Sequence, residues 1–164
     1  MNRFFFLGRE HHFRERTVDM AAIARGHTVL DVGCGTGNLT MAAKVRAGTD
    51  GEVYGIDAAP EMIQKAEQKA DEKQLDIHYQ VGLFEEIPFP DNKFDVVVSS
   101  LMLHHLPKDL KQQGIAEISR VLKPGGRFVA VDLDPPLVGN LRIVVEAMRR
   151  NDFTQIRRGR TEFR

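Results

Sequence analysis

Short apolar runs rich in β-branched residues recur along the chain, each bounded by polar or glycine-containing segments. They fall at Thr28 to Val32, Glu52 to Ile56, Ile77 to Val81, Phe94 to Ser99 and Arg127 to Leu133. Runs of this length and composition predict strands of a parallel sheet buried on both faces. Between and after them lie helix-compatible stretches, Asn38 to Ala47, Pro60 to Lys73, Lys108 to Val121 and Leu137 to Arg150. Pro60 stands in the first turn of its helix with Glu61 near the positive end, positions that suit both residues. Gly125-Gly126 after Pro124 predicts the turn that returns the chain to the sheet. This alternation predicts a doubly wound α/β domain with right-handed crossovers and a ligand at the carboxyl ends of its strands.

The first strand runs straight into alternating glycines: Val29-Leu-Asp-Val-Gly-Cys-Gly-Thr-Gly-Asn-Leu-Thr40. Side chains at Gly33, Gly35 and Gly37 would hold a bulky ligand off the backbone, and glycine also permits the positive φ of a tight strand-to-helix turn. A dinucleotide fingerprint needs Gly-x-Gly-x-x-Gly. Counted from Gly33 its last position is Asn38, and counted from Gly35 it is Thr40. Asp31, just ahead of the glycines, is unfavourable beside a pyrophosphate and useful beside a cationic group. Both features oppose the alternative of a nicotinamide-dependent oxidoreductase. Asp57 closes the second strand twenty residues beyond Gly37, where a ribose-binding acid belongs in a βαβ unit.

These residues resemble the class I S-adenosylmethionine-dependent methyltransferases, closest to the small-molecule group that includes ubiquinone and menaquinone biosynthesis enzymes. The resemblance spans Thr28 to Asp132 in ordered blocks: Leu30 to Gly37, Gly55 to Asp57, Glu86 to Asp91, Phe94 to Val98, Leu103 to Leu106 and Leu122 to Phe128. It implies a Rossmann-like, mostly parallel sheet, with S-adenosylmethionine as cofactor and a small organic acceptor methylated at carbon, oxygen or nitrogen. It further implies that the glycines border the cofactor's amino-acid part, that Asp31 lies near its amino group, and that Asp57 holds the ribose hydroxyls. The candidate cofactor set is Asp31, Gly33, Gly35, Gly37, Asp57, Ala58, Met62, Leu83, Phe84 and Ser99. One position departs from the family pattern: an Asp commonly follows the glycine after the third strand, whereas Gly82 here precedes Leu83 and Phe84. That apolar pair can sandwich adenine, leaving its amino group to Glu85 or to backbone. The departure keeps open a non-catalytic cofactor-binding or partner-binding module.

Length, composition and absent motifs narrow the acceptor. At 164 residues and zero net charge the chain reads as one domain with no electrostatic footprint for nucleic acid. Cys34 is the sole cysteine, more simply a small buried residue of the turn than a reactive thiol. No apolar run approaches the ~18 residues of a membrane span, and no signal peptide is recognisable, so the expected location is the cytoplasm. Ser99-Ser-Leu-Met102 stands where amino-methylating DNA and glutamine enzymes carry Asn/Asp-Pro-Pro-Tyr. His104 and His105 after the fourth strand are the candidate catalytic bases, against the simpler reading of packed histidines. Asp132 and Asp134 after the fifth strand are further candidates, and no metal site is expected.

The two ends carry separate expectations. Residues 1–27 read as an N-terminal helical segment, packed on the core by its aromatics or closing as a lid, and 28–164 as the cofactor-binding domain. Beyond Arg150 only an abbreviated strand hairpin fits, which leaves the fifth strand an exposed edge. Either the sheet is cut short or a homodimer completes it. Arg149, Arg150, Arg157, Arg158, Arg160 and Arg164 read as a solvated basic face, or as a site for an anionic substrate.

Overall fold

The computed structural model describes residues 3–132 and 140–157, with the side chains of 3–10 and 140 outside that description. In chain order the elements are α1 (Arg3–Ala21), β1 (Thr28–Val32), α2 (Asn38–Ala47), β2 (Glu52–Asp57), α3 (Pro60–Glu72), β3 (His78–Val81), β4 (Phe94–Ser100), α4 (Lys108–Val121), β5 (Leu122–Val131) and α5 (Asn140–Arg150). A 3-10 turn, Leu103–His105, lies between β4 and α4. The strands form one sheet in the order β3-β2-β1-β4-β5, and every pairing is parallel. The order reverses between β1 and β4, which makes the crevice at their carboxyl ends the natural ligand site of such a sheet.

Strand periodicity distributes the core over both faces. Val29, Val53, Val96 and Val98 pack with Val18 and Ala21 of α1 and with Leu39, Ala43 and Ala47 of α2. Leu30, Val32, Ile56 and Val97 face the other way, toward Ile115 and Ile118 of α4 and Val144 and Ala147 of α5. Two-sided burial is why these strands read as continuous apolar runs rather than alternating ones.

The fifth strand differs from the sequence expectation. β5 is joined to β4 at Leu122 opposite Phe94, and the ladder then slips and resumes at Arg127 opposite Val96. Residues 123–126, with Gly125 at φ +78°, form the excursion between the two pairings. The glycine turn is thus a bulge within the strand rather than a loop before it. On its far side β5 has no partner strand among the described residues, as the exposed-edge reading requires. Residues 151–157 form turn and irregular structure. The rest of the expected hairpin lies outside the described residues, as do Leu133, Asp134, the start of the last helix, Arg158, Arg160 and Arg164.

The end of α1 is anchored. Thr17, Val18 and Ala21 are fully buried, and Arg46 of α2 bonds Asp19 at 2.7 Å. The aromatic side chains of Phe4, Phe5 and Phe6, on which the lid reading turned, lie outside the description. No described helix is long and apolar enough to cross a membrane.

Candidate functional site

The glycine turn, Asp57, Ser99 and the two histidines sit at the carboxyl ends of the strands. The turn after β1 takes positive φ at Gly33 (+72°), Gly35 (+54°) and Gly37 (+81°), a path that side-chain-bearing residues rarely follow. The three positions are not equivalent. A Cβ on Gly33 would lie 2.5 Å from Met102 Cγ, and one on Gly37 would meet the Tyr79 hydroxyl and Ala66. Only at Gly35 is the space within 4 Å open. The expectation that all three glycines clear room for a ligand is corrected accordingly. Gly35 faces open space, while Gly33 admits Met102 and Gly37 admits Tyr79 and Ala66 against the turn.

Hydrogen bonds fix the turn. Gly33 and Cys34 N–H both donate to Ile56 O at 2.9 Å, and Gly37 N–H donates to Cys34 O at 2.9 Å. Asp57 joins two elements: Oδ2 accepts from Gly35 N–H and Oδ1 from Ala59 N–H, each at 2.9 Å. It therefore ties the glycine turn to the entry of α3, with exposed Ala58 and half-buried Met62 beside it. Burial pushes the Cys34 thiol up, reinforced by the charges of Asp31 and Asp57, which makes it an inert packing residue.

Asp31 is the buried carboxylate of the site. Its carboxylate is 1 % exposed; Oδ2 accepts from Thr40 Oγ1 at 2.7 Å, and Oδ1 has no hydrogen-bond partner. Burial raises it to about 7, the Thr40 hydrogen bond opposes this, and Asp57 adds to it. Ser99 Oγ, at the end of β4, is the other buried polar atom without a partner among the described residues. Thr40 was not singled out by the sequence reading. Its signal was a hydroxyl in the first turn of the helix that follows the glycines, positioned to face back along β1.

The adenine side requires a correction. Phe84 is 5 % exposed and belongs to the core beneath α4. A Cβ on Gly114 would clash with the Phe84 ring, so that glycine is the notch into which the ring fits. Leu83 alone of the pair stays at the surface, 42 % exposed, with Glu85 half-buried beyond it. The segment that follows is clamped by Arg120, which donates to Ile87 O (2.9 Å), Phe89 O (2.7 Å) and Asp91 Oδ1 (2.9 Å). Glu117 accepts from Ile87 N–H at 2.8 Å and from Arg120 at 2.7 Å. The block Glu86 to Asp91 is thereby held as a fixed wall beside Leu83.

The candidate bases stand on the loop after β4. Leu101 adopts φ +55° and donates its N–H to Val131 O at 2.9 Å, turning Met102 onto Gly33. His104 Nδ1 then lies 2.5 Å from Asp132 Oδ1, while the exposed His105 ring meets it at a tilt of 42° with centroids 3.8 Å apart. At the other end, Arg149, Arg150 and Arg157 are exposed.

Such a site suits S-adenosylmethionine by the chemistry of its donors. A buried carboxylate oxygen lacking a partner matches an ammonium, an open glycine matches a close-lying ligand, and a carboxylate at the end of β2 matches vicinal hydroxyls. Comparisons with known proteins agree. Residues 29–126 match the family model described as a methyltransferase domain. A demethylmenaquinone methyltransferase of Lactiplantibacillus plantarum is 37 % identical over 138 residues, 83 % of this chain and 57 % of the relative. A ubiquinone/menaquinone biosynthesis C-methyltransferase of Yersinia pestis is 32 % identical over 149 residues, 90 % of this chain and 59 % of the relative. The chain thus spans less than two thirds of the length of these curated relatives. Among solved structures, a SAM-dependent methyltransferase from Aquifex aeolicus superposes with a TM-score of 0.74 at 27 % identity, covering 90 % of this chain and 81 % of the other. Fold, site chemistry and kinship converge: the chain belongs to the class I S-adenosylmethionine-dependent methyltransferases, in the group related to the ubiquinone and menaquinone biosynthesis enzymes.

Proposed function

We propose that this chain transfers a methyl group from S-adenosylmethionine to a small organic acceptor with an ionisable hydroxylated ring, the quinol-like chemistry that its relatives' names indicate. The observation that carries the reading is the buried, unpartnered Oδ1 of Asp31, with open space at Gly35 in the turn that follows it in the chain. Asp31 would receive the cofactor's ammonium, Asp57 its ribose hydroxyls, and Leu83 one face of its adenine. When bound, the cofactor supplies a methyl group already activated by the sulfonium, so the protein's work is alignment, exclusion of water and removal of an acceptor proton.

Calorimetry with S-adenosylmethionine on the parent and on Asp57→Ala tests the cofactor half of the proposal. Loss of a charge-assisted ribose contact should weaken binding by about 1.5–3 kcal/mol. Because Oδ1 and Oδ2 of Asp57 each accept a backbone N–H, neither Ala nor Asn preserves both turn contacts, and chemical denaturation of Asp57→Ala and Asp57→Asn alongside calorimetry separates the ribose contact from turn stability. Unchanged affinity in both variants would sink the assignment. Mass-spectrometric detection of methylated 1,4-naphthoquinol tests the acceptor half.

A further inference from the structure

His104 and Asp132 come from separate strand ends, 28 residues apart in sequence, and meet through two hydrogen bonds at once. Asp132 Oδ1 faces His104 Nδ1 at 2.5 Å, and Oδ2 accepts from the His104 backbone N–H at 3.2 Å. Their side chains are 17 % and 16 % exposed, so the pair is shielded while the ring stays reachable. An ionised carboxylate can only accept, which obliges Nδ1 to carry the hydrogen and leaves Nε2 of a neutral imidazole with its lone pair. Nε2 has no hydrogen-bond partner among the described residues. His105 has neither advantage: it is exposed, has no carboxylate partner among the described residues, and meets His104 in a tilted ring contact.

Resting on the methyltransferase reading above, we propose that Asp132 is a positioning residue that holds His104 as the Nδ1–H tautomer, with Nε2 aimed to take the proton of a hydroxylated methyl acceptor. The two-point grip matters because one contact fixes the backbone of the 3-10 turn and the other fixes ring rotation. A single bond would leave the imidazole free to swing about χ2. In the step itself the acceptor's hydroxyl proton passes to Nε2, and its electron pair, delivered through oxygen or a conjugated ring carbon, forms the bond to the methyl carbon. The pair of the broken sulfur–carbon bond remains on sulfur. Nothing is oxidised or reduced, and the proton leaves to solvent after turnover.

Asp132→Asn is the discriminating variant. Its amide oxygen can still accept from the His104 backbone N–H, but its NH2 then points at Nδ1 and enforces the opposite tautomer. Nitrogen-15 NMR of labelled histidine should show Nδ1–H at His104 in the parent and Nε2–H in Asp132→Asn, with S-adenosylmethionine affinity unchanged by calorimetry. Turnover of 1,4-naphthoquinol should fall about 100-fold in kcat with little change in KM. His104→Gly should show the same loss and partial rescue by added imidazole. An Nε2–H tautomer in the parent, or turnover by Asp132→Asn within twofold of the parent, overturns the proposal. A parent that binds the cofactor and shows Nδ1–H, yet never methylates naphthoquinol, upholds the positioning role and refutes the acceptor reading instead.

Discussion

Asp31→Asn is expected to stabilise the cofactor-free protein while weakening S-adenosylmethionine binding about 10- to 100-fold, the range for losing a hydrogen bond to a charged group. The two effects share one cause. Burial lifts the Asp31 carboxyl from 3.8 to about 7, so between those pH values the folded protein holds a proton that the unfolded chain has released. Stability therefore falls as pH rises through this window and levels off above it. The full span amounts to about 4 kcal/mol at 1.36 kcal/mol per pH unit. Asn carries no charge but retains a buried amide, so the net gain at pH 8 should be smaller, about 2 kcal/mol by that reasoning. It should shrink toward zero near pH 4. Denaturant titrations at pH 4, 6 and 8 check the first half. The second half predicts that the parent's affinity for the cofactor drops on acidification below about pH 7, as Asp31 takes up the proton that the ammonium must displace. The variant's affinity should be flat over the same range. Equal parent affinities at pH 6 and pH 8 would remove the ammonium from Asp31.

Phe84→Ala is expected to cost about 3–5 kcal/mol of stability, the usual range for emptying a packed aromatic site. The ring is buried in the Gly114 notch among residues of β1, β2, β4 and α4, and α4 cannot collapse into the space without dragging the Arg120 clamp with it. Leu83→Ala should do the reverse, leaving stability nearly unchanged, as is usual at an exposed position, while lowering cofactor affinity several-fold. Chemical denaturation and calorimetry on the two variants separate these roles. If Phe84→Ala lost affinity with its stability intact, the ring would belong to the ligand rather than to the core.

The sheet was legible because its determinants are local. β1, β2 and β4 are buried on both faces, so their apolar runs carry no ambiguity, and the glycine turn announces itself in consecutive residues. The origin of β5 was not legible, since the slip between the Phe94 and Val96 pairings depends on two strands at once. Phe84 was misjudged for a similar reason. The glycine that admits it to the core stands thirty residues away on α4, and neither residue alone signals the other. Asp31 and Asp57 were legible as acids at strand ends, whereas Thr40 behind Asp31 and the two hydrogen bonds that Asp57 accepts from Gly35 and Ala59 required coordinates. The same holds for His104, whose sequence neighbour His105 was an equal candidate until Asp132 separated them.

The glycine turn is closed before any ligand arrives. Gly33, Cys34, Gly35 and Gly37 all have their amides bonded, to Ile56, to Cys34 or to Asp57. Their hydrogen exchange should accordingly be slow in the cofactor-free protein and change little on binding. Occupancy of this site would thus go unseen by amide protection in its most recognisable segment. It would appear instead in the infrared carboxyl stretch of Asp31, whose protonated form gives way to carboxylate when a cation arrives beside its unpartnered oxygen.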